Sequence, residues 1–179
     1  MPVDITSWPT TLQLNEIDSN APLVCEKSLR NLPGKRLVCS GHWRQKPVIA
    51  KLFLDGYSAK RHYQREKIGI LALQAANITT PALLFAGQLD DQTPVLIFEH
   101  LPAAQTALQI WQGLNNDNQR LDFLRQILCE LATHHQVGLR QKDLHLDNFL
   151  YSQGRWYTID GDGVNSKRAG TALNIKDSL

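Results

Sequence analysis

The chain of 179 residues has little cysteine, little net charge and no long apolar run, and each shortage closes off a class of protein. Its three cysteines, Cys25, Cys39 and Cys129, are odd in number, far apart and form no Cys-x-x-Cys pair. That pattern excludes a disulfide frame or a zinc ribbon and predicts buried structural thiols in a reducing compartment. A net charge of +2 is too small to argue for nucleic acid or an anionic membrane as partner. The longest apolar runs, such as Val95-Leu96-Ile97-Phe98, fall far below the roughly 18 residues that a membrane span needs. The opening Met1-Pro2-Val3-Asp4 carries no basic cluster followed by an apolar core, so no signal peptide is expected. Internal repeats and low-complexity tracts are absent too. What is left is an ordinary globular composition, 42% hydrophobic and 20% charged. It predicts a cytoplasmic protein of one domain, or of two small lobes sharing a cleft.

The first 20 residues are polar, with little periodicity, and are expected to be a loose lead-in. Three strand-like pieces follow, Ala21 to Arg30, Arg36 to Trp43 and Val48 to Phe53, joined by short turns that imply an antiparallel meander. Ser58 is a plausible N-cap for a helix over 59–76, with Tyr63, Glu66, Ile70 and Leu73 on one face. Leu83 to Leu89 and Val95 to His100 predict two more strands. The Leu101-Pro102 boundary then turns the composition helical. A second helix is expected after the Asn115-Asn116-Asp117-Asn118 tract, its apolar face running Leu121, Leu124, Ile127, Leu128, Leu131 and Ala132, with an end near Gly138. A polar loop and a hairpin follow, with strands at Asn148 to Tyr151 and Trp156 to Ile159. The order predicts a lead-in at 1–20, a lobe of five antiparallel strands and one helix at 21–101, and a partial, mainly helical lobe at 102–179.

Three features stand out chemically. Asp143 and Asn148 lie five apart in the loop Gln141-Lys142-Asp143-Leu144-His145-Leu146-Asp147-Asn148, directly after a long helix. The hairpin beyond that loop ends in Thr158-Ile159-Asp160-Gly161-Asp162-Gly163. Upstream, Glu66 is the sole glutamate between Glu26 and Glu99, and it sits on an apolar helix face where an unpaired charge is costly. Lys51, at the end of an apolar strand, would supply the missing partner.

These stretches resemble motifs of the protein-kinase-like superfamily. Gln141-Lys142-Asp143 is similar to the His-Arg-Asp motif, Asp160-Gly161-Asp162 to Asp-Phe-Gly, and Val48-Ile49-Ala50-Lys51 to Val-Ala-Ile-Lys. His135-Gln136-Val137-Gly138-Leu139 resembles the helix end before that loop, and Val95 to Leu101 the strand and hinge where adenine docks. The resemblance implies an α+β, protein-kinase-like fold and an ATP-dependent phosphotransferase using ATP and Mg²⁺. In that reading Asp143 orients the acceptor hydroxyl, and Lys51, fixed by Glu66, neutralises phosphates. Asn148 and Asp160 hold the metal, with Asp162 a competitor for Asp160's role. Gly34, Lys35, Lys51, Glu99 and Leu101 would line the nucleotide site.

The pattern also departs from the family. Only Gly34 stands at the expected phosphate turn, and Lys35 or Arg36 would have to supply charge there. Lysine in place of the motif's arginine argues against control by a phosphorylated activation loop. Only 16 residues follow Gly163, which implies a shortened chain or a miniature kinase. The Asp-Leu-His order resembles sugar, lipid and antibiotic kinases. The compact sheet lobe, glycine-poor loop and Ile-Asp-x-Asp ending are similar to lipopolysaccharide core kinases acting on Kdo or heptose. That implies a sugar or lipid-linked sugar acceptor, with any inner-membrane association arising through such a substrate. Alternatives are an antibiotic-type, choline-like or protein acceptor, or a pseudokinase that only binds nucleotide.

Overall fold

A computed structural model of the chain describes residues 7–15, 21–54 and 56–166. Backbone packing divides it into two units, one of residues 1–68 and 81–102 and the other of residues 69–80 and 103–179.

The first unit is built on strands β1 (Thr10–Leu12), β2 (Leu23–Leu32), β3 (Arg36–Trp43) and β4 (Lys46–Phe53), then helix α1 (Ala59–Ala75) as far as Ile68, its remainder being counted in the second unit, then β5 (Leu83–Gln88) and β6 (Pro94–Glu99). They form one antiparallel sheet in the order β1-β2-β3-β4-β6-β5. The sheet therefore has six strands rather than the expected five. The extra one comes from the stretch expected to be a loose lead-in: Thr10-Thr11-Leu12 pairs with Cys25-Val24-Leu23, and Leu14 bridges Leu89. Leu12 and Leu14 are buried, which is what holds this edge.

Alternation along the strands gives the sheet two faces. Leu37, Cys39, Val48, Ala50, Leu52, Val95 and Ile97 join Leu23 and Cys25 in one core. Phe53 lies on the opposite face, where its ring meets that of Tyr63 of α1 edge-on at 5.9 Å. The β3–β4 turn needs two left-handed residues, Arg44 (φ 51°) and Gln45 (φ 62°), as a two-residue hairpin loop does. Helix α1 ends at Asn77, which takes a left-handed φ of 57° while Ile78 N–H bonds back to the Leu73 carbonyl.

Of the thiols expected to be buried, Cys25 and Cys39 are, but Cys129 is exposed. The Cys39 thiol is pushed up, first by its hydrogen bond with Cys25 and then by burial. It stays protonated and behaves as an apolar group.

The second unit carries β7 (Gln105–Thr106), α2 (Ala107–Gln112), α3 (Asp117–Gln136) and β8 (Leu139–Gln141). A 3₁₀ turn at Leu146–Asn148 leads to β9 (Phe149–Ser152), β10 (Arg155–Thr158) and β11 (Val164–Ser166). Sheets β10-β9-β7 and β11-β8 are small and antiparallel. Thr106 and Gln109 form a reciprocal capping box at the start of α2, and Asn116 caps α3. The β9–β10 hairpin closes through Gln153 (φ 49°) and Gly154 (φ 79°), a two-residue turn of the same kind as β3–β4.

Helix α3 corrects one expectation. Its buried face is Phe123, Ile127 and His134, whereas Leu121, Leu124 and Leu128 are exposed. Phe123 and Ile127 pack with Ala107, Phe149 and Trp156, and Leu131 lies partly buried beside them. The large rings claim the inner face ahead of the leucines.

At Gly41 β3 approaches β2 closely. A side-chain carbon there would sit 1.8 Å from the Val24 carbonyl oxygen. Gly41→Ala is therefore expected to cost about 1–3 kcal/mol, read as a lower urea midpoint. A midpoint at the wild-type value would show that β2 and β3 can part at no cost.

Candidate active site

Glu66 is wholly buried on α1. Its Oε1 pairs with Lys51 Nζ of β4, and its Oε2 lies 3.7 Å from Arg36 Nη1 of β3. Lys51 Nζ also sits 5.6 Å from the centre of the Phe98 ring. The sequence pairs Lys51 with Glu66 but gives Arg36 only a place near phosphates. The register of β3 and β4 puts Arg36 and Lys51 both on the α1 side of the sheet: Arg36 opposes Phe53, and Val38 opposes Lys51.

The other nucleotide-site candidates of this unit are spread along it. Gly34 supplies the left-handed turn (φ 68°) between β2 and β3, and Lys35 follows it exposed, its carbonyl accepting from Leu54 N–H at 2.8 Å. Glu99 ends β6, with its carboxylate accepting from Ala82 N–H at 2.8 Å and its own amide donating to the Ala82 carbonyl at 3.0 Å. Leu101 lies just past that strand, partly exposed.

In the second unit the loop after β8 is organised around one backbone oxygen. The Asp143 carbonyl accepts from His145 N–H at 3.1 Å and from Asn148 Nδ2 at 3.0 Å. Asn148 is buried, and committing its nitrogen in this way directs its amide oxygen elsewhere, as a metal ligand requires. The Asp143 carboxylate is 69% exposed and touches His145 Nε2 at 2.9 Å. It is open to an incoming hydroxyl while its own backbone is fixed.

Asp160 follows the hairpin. Ile159 N–H donates to the Asn148 carbonyl at 3.0 Å, extending the β9–β10 pairing by one step and placing Asn148 and Asp160 at the same open end. Asp160 Oδ1 accepts from Asp162 N–H at 3.0 Å, and its carbonyl accepts from Gln141 Nε2 at 3.4 Å. Thus Gln141, standing where the family motif has histidine, holds the acidic turn. Lys142 N–H donates to the Gly163 carbonyl at 2.8 Å, tying the catalytic-loop candidate to the end of that turn.

Among the described residues no three His, Cys, Asp or Glu side chains form a metal cluster. Amide and carboxylate oxygens from Asn148 and Asp160 nonetheless fit magnesium, which binds one or two protein oxygens and completes its shell with phosphates and water.

A buried histidine that no motif in the sequence singles out lies against the β9–β10 hairpin. His134 Nε2 lies 3.2 Å from Thr158 Oγ1, and its ring stacks on Phe149 at 6.3 Å. Burial, with His135 adding to it, holds its pKa below the usual 6.5. The folded chain refuses a proton that the unfolded chain accepts, so this contribution to stability is present above the unfolded value and is lost as pH falls below it. The urea midpoint should drop between about pH 7.5 and about pH 5.5, and by less in His134→Gln. Equal drops in both proteins would place the acid sensitivity elsewhere.

For the Glu66 cluster, Glu66→Gln removes the negative charge beside two part-buried cations and should cost up to about 3 kcal/mol in urea unfolding. Replacing both partners, as Lys51→Met with Glu66→Leu, should recover much of that loss. No recovery would mean that Arg36 rather than Lys51 carries the pairing.

No protein-family model matches the chain, and no curated protein matches it in sequence. Its fold does have solved counterparts. A structure described as vaccinia related kinase 3 superposes with a TM-score of 0.57, at 9% identity, over 92% of this chain and 53% of that one. The chain thus spans about half the length of that kinase. No helix among the described residues is long and apolar enough to cross a membrane. The chain has an α+β, protein-kinase-like fold.

Proposed function

We propose that the protein is an ATP-dependent phosphotransferase that moves the γ-phosphate of ATP to a sugar hydroxyl. The observation that carries this reading is the loop from Asp143 to Asn148. One carboxylate stands open to solvent while its carbonyl is bonded to a buried asparagine whose remaining polar atom is an oxygen. Phosphoryl transfer asks the protein mainly to position groups and neutralise charge, and this is the acceptor half of that arrangement.

In this reading Asp143 accepts a hydrogen bond from the acceptor hydroxyl and takes its proton as that oxygen bonds to the γ-phosphorus and the bond from that phosphorus to the bridging oxygen breaks, ADP leaving. His145, 2.9 Å from the carboxylate, limits the directions in which it can turn. Asn148 and Asp160 would hold Mg²⁺, with Asp162 fixing the Asp160 carboxylate through its backbone N–H. When bound, the metal supplies charge neutralisation at the phosphate oxygens. Lys51, oriented by Glu66, would supply the second positive charge. Nucleotide contacts at Gly34, Lys35, Glu99 and Leu101 are part of the same proposal, as are the 21–101 and 102–179 lobes taken as its two working halves.

The sugar acceptor, of the lipopolysaccharide core type and reached at the inner-membrane face, rests on the Lys142-Asp143-Leu144-His145 order and the Ile159-Asp160-Gly161-Asp162 ending. The contact between His145 and Asp143 gives that Asp-Leu-His order a physical role.

Labelled ATP with core oligosaccharide, aminoglycosides and a generic protein as competing acceptors tests the assignment. Label is expected in the oligosaccharide, and Asp143→Asn should lower turnover by about 10²–10⁴-fold while leaving nucleotide affinity near the wild-type value. Wild-type turnover in that variant would remove Asp143 from the mechanism. Label in aminoglycoside or protein alone would replace the acceptor.

A further inference from the structure

Gly69 lies inside α1, buried, where a glycine weakens the helix unless packing requires it. Packing does require it here. A side-chain carbon at Gly69 would sit 1.9 Å from the Gly161 carbonyl oxygen, 2.6 Å from its carbonyl carbon and 2.7 Å from its Cα. All three are backbone atoms, so no side chain can swing aside. Both glycines belong to the second unit, and Gly161 is the residue between Asp160 and Asp162. Helix and acidic turn thus meet backbone to backbone, with no side chain on either partner.

The turn is held from its other sides as well. Gln141 Nε2 donates to the Asp160 carbonyl, and Val164 N–H donates to the Gly161 carbonyl at 3.0 Å. Asp162 N–H closes on Asp160 Oδ1. A displacement forced at Gly161 therefore passes directly to the carboxylates on either side of it. Relieving a 1.9 Å contact to the 3.0 Å limit for a carbon atom needs a shift of about 1 Å. Metal and catalytic groups tolerate about half of that before function suffers.

We infer that Gly69 is a positioning residue for the metal-holding turn: its missing side chain lets α1 seat the Gly161 carbonyl and so sets where the Asp160 and Asp162 carboxylates stand. This rests on the reading of Asp160 as a metal ligand in a phosphotransferase. A plain helix role for Gly69 makes the opposite forecast, because Gly69→Ala would then strengthen α1 and change nothing else.

The experiment measures ADP affinity by calorimetry with and without Mg²⁺, in wild type, Gly69→Ala and Gln64→Ala, the last an exposed site on the same helix. Gly69→Ala is expected to keep its metal-free ADP affinity and to need about tenfold or more Mg²⁺ for half-saturation, with Gln64→Ala like wild type. A folded Gly69→Ala with the wild-type Mg²⁺ requirement overturns the inference alone. If wild type itself shows no Mg²⁺-dependent gain in ADP affinity, the phosphotransferase reading fails and the inference falls with it. Should Gly69→Ala not fold, glycine-labelled wild-type protein replaces it in a Mg²⁺ titration with ADP followed by NMR. The Gly69 and Gly161 amide signals are then expected to move together with one midpoint, and an unmoved Gly69 signal overturns the inference.

Discussion

The buried charge of Glu66 is the constraint around which the first unit is arranged. A carboxylate without solvent access is tolerable only beside a cation, and here Lys51 and Arg36 both lie against it. Meeting that demand fixes more than one ion pair. Lys51 must project from the face of β4 opposite Ala50 and Leu52, and Arg36 must share that face from the neighbouring strand. A slip of one residue in β4 would send Lys51 into the apolar core and bring Ala50 and Leu52 out. The register of β3 and β4 and the rotation of α1 are therefore one choice.

In the second unit the organising groups are backbone carbonyls. The Asp143 oxygen gathers the loop, the Asn148 oxygen anchors Ile159, and the Gly163 oxygen holds Lys142. Each carboxylate with a proposed chemical role is attached to a main chain already held in place, so its own contacts, His145 for Asp143 and the Asp162 N–H for Asp160, have only the side-chain direction left to set. This is how an exposed Asp143 side chain can be well placed and still open to a substrate.

Much of this was legible in the residues themselves. The strand from Arg36 to Trp43 was bounded by turn residues on both sides and is found with the same limits. Glu66 advertised its partner because a lone charge on the Tyr63-Ile70-Leu73 face had to be paired. The short strands were hidden for a common reason. Thr10–Leu12, Gln105–Thr106, Leu139–Gln141 and Val164–Ser166 are too brief for any periodicity and exist only because a partner strand offers hydrogen bonds. The inner face of α3 was misread because hydrophobicity ranks leucine above histidine. It cannot foresee that Thr158 would accompany a buried imidazole, or that Phe123 and Trp156 would pack edge-on at 5.9 Å. Gly69 carried no signal at all, since its neighbour comes from a turn far along the chain.

The tight turn at Gln153-Gly154 has a consequence for how the second unit comes together. It closes a hairpin whose open end carries Asn148 and Asp160, and Asp143 lies only one loop further back. Because the entropic cost of closure grows with the logarithm of the length closed, bringing these groups together costs the chain little. A hairpin of this kind forms on the order of microseconds. The carboxylates and the amide are thus gathered by a search among near neighbours, and what is left to the distant helix α1 is the final seating of the acidic turn.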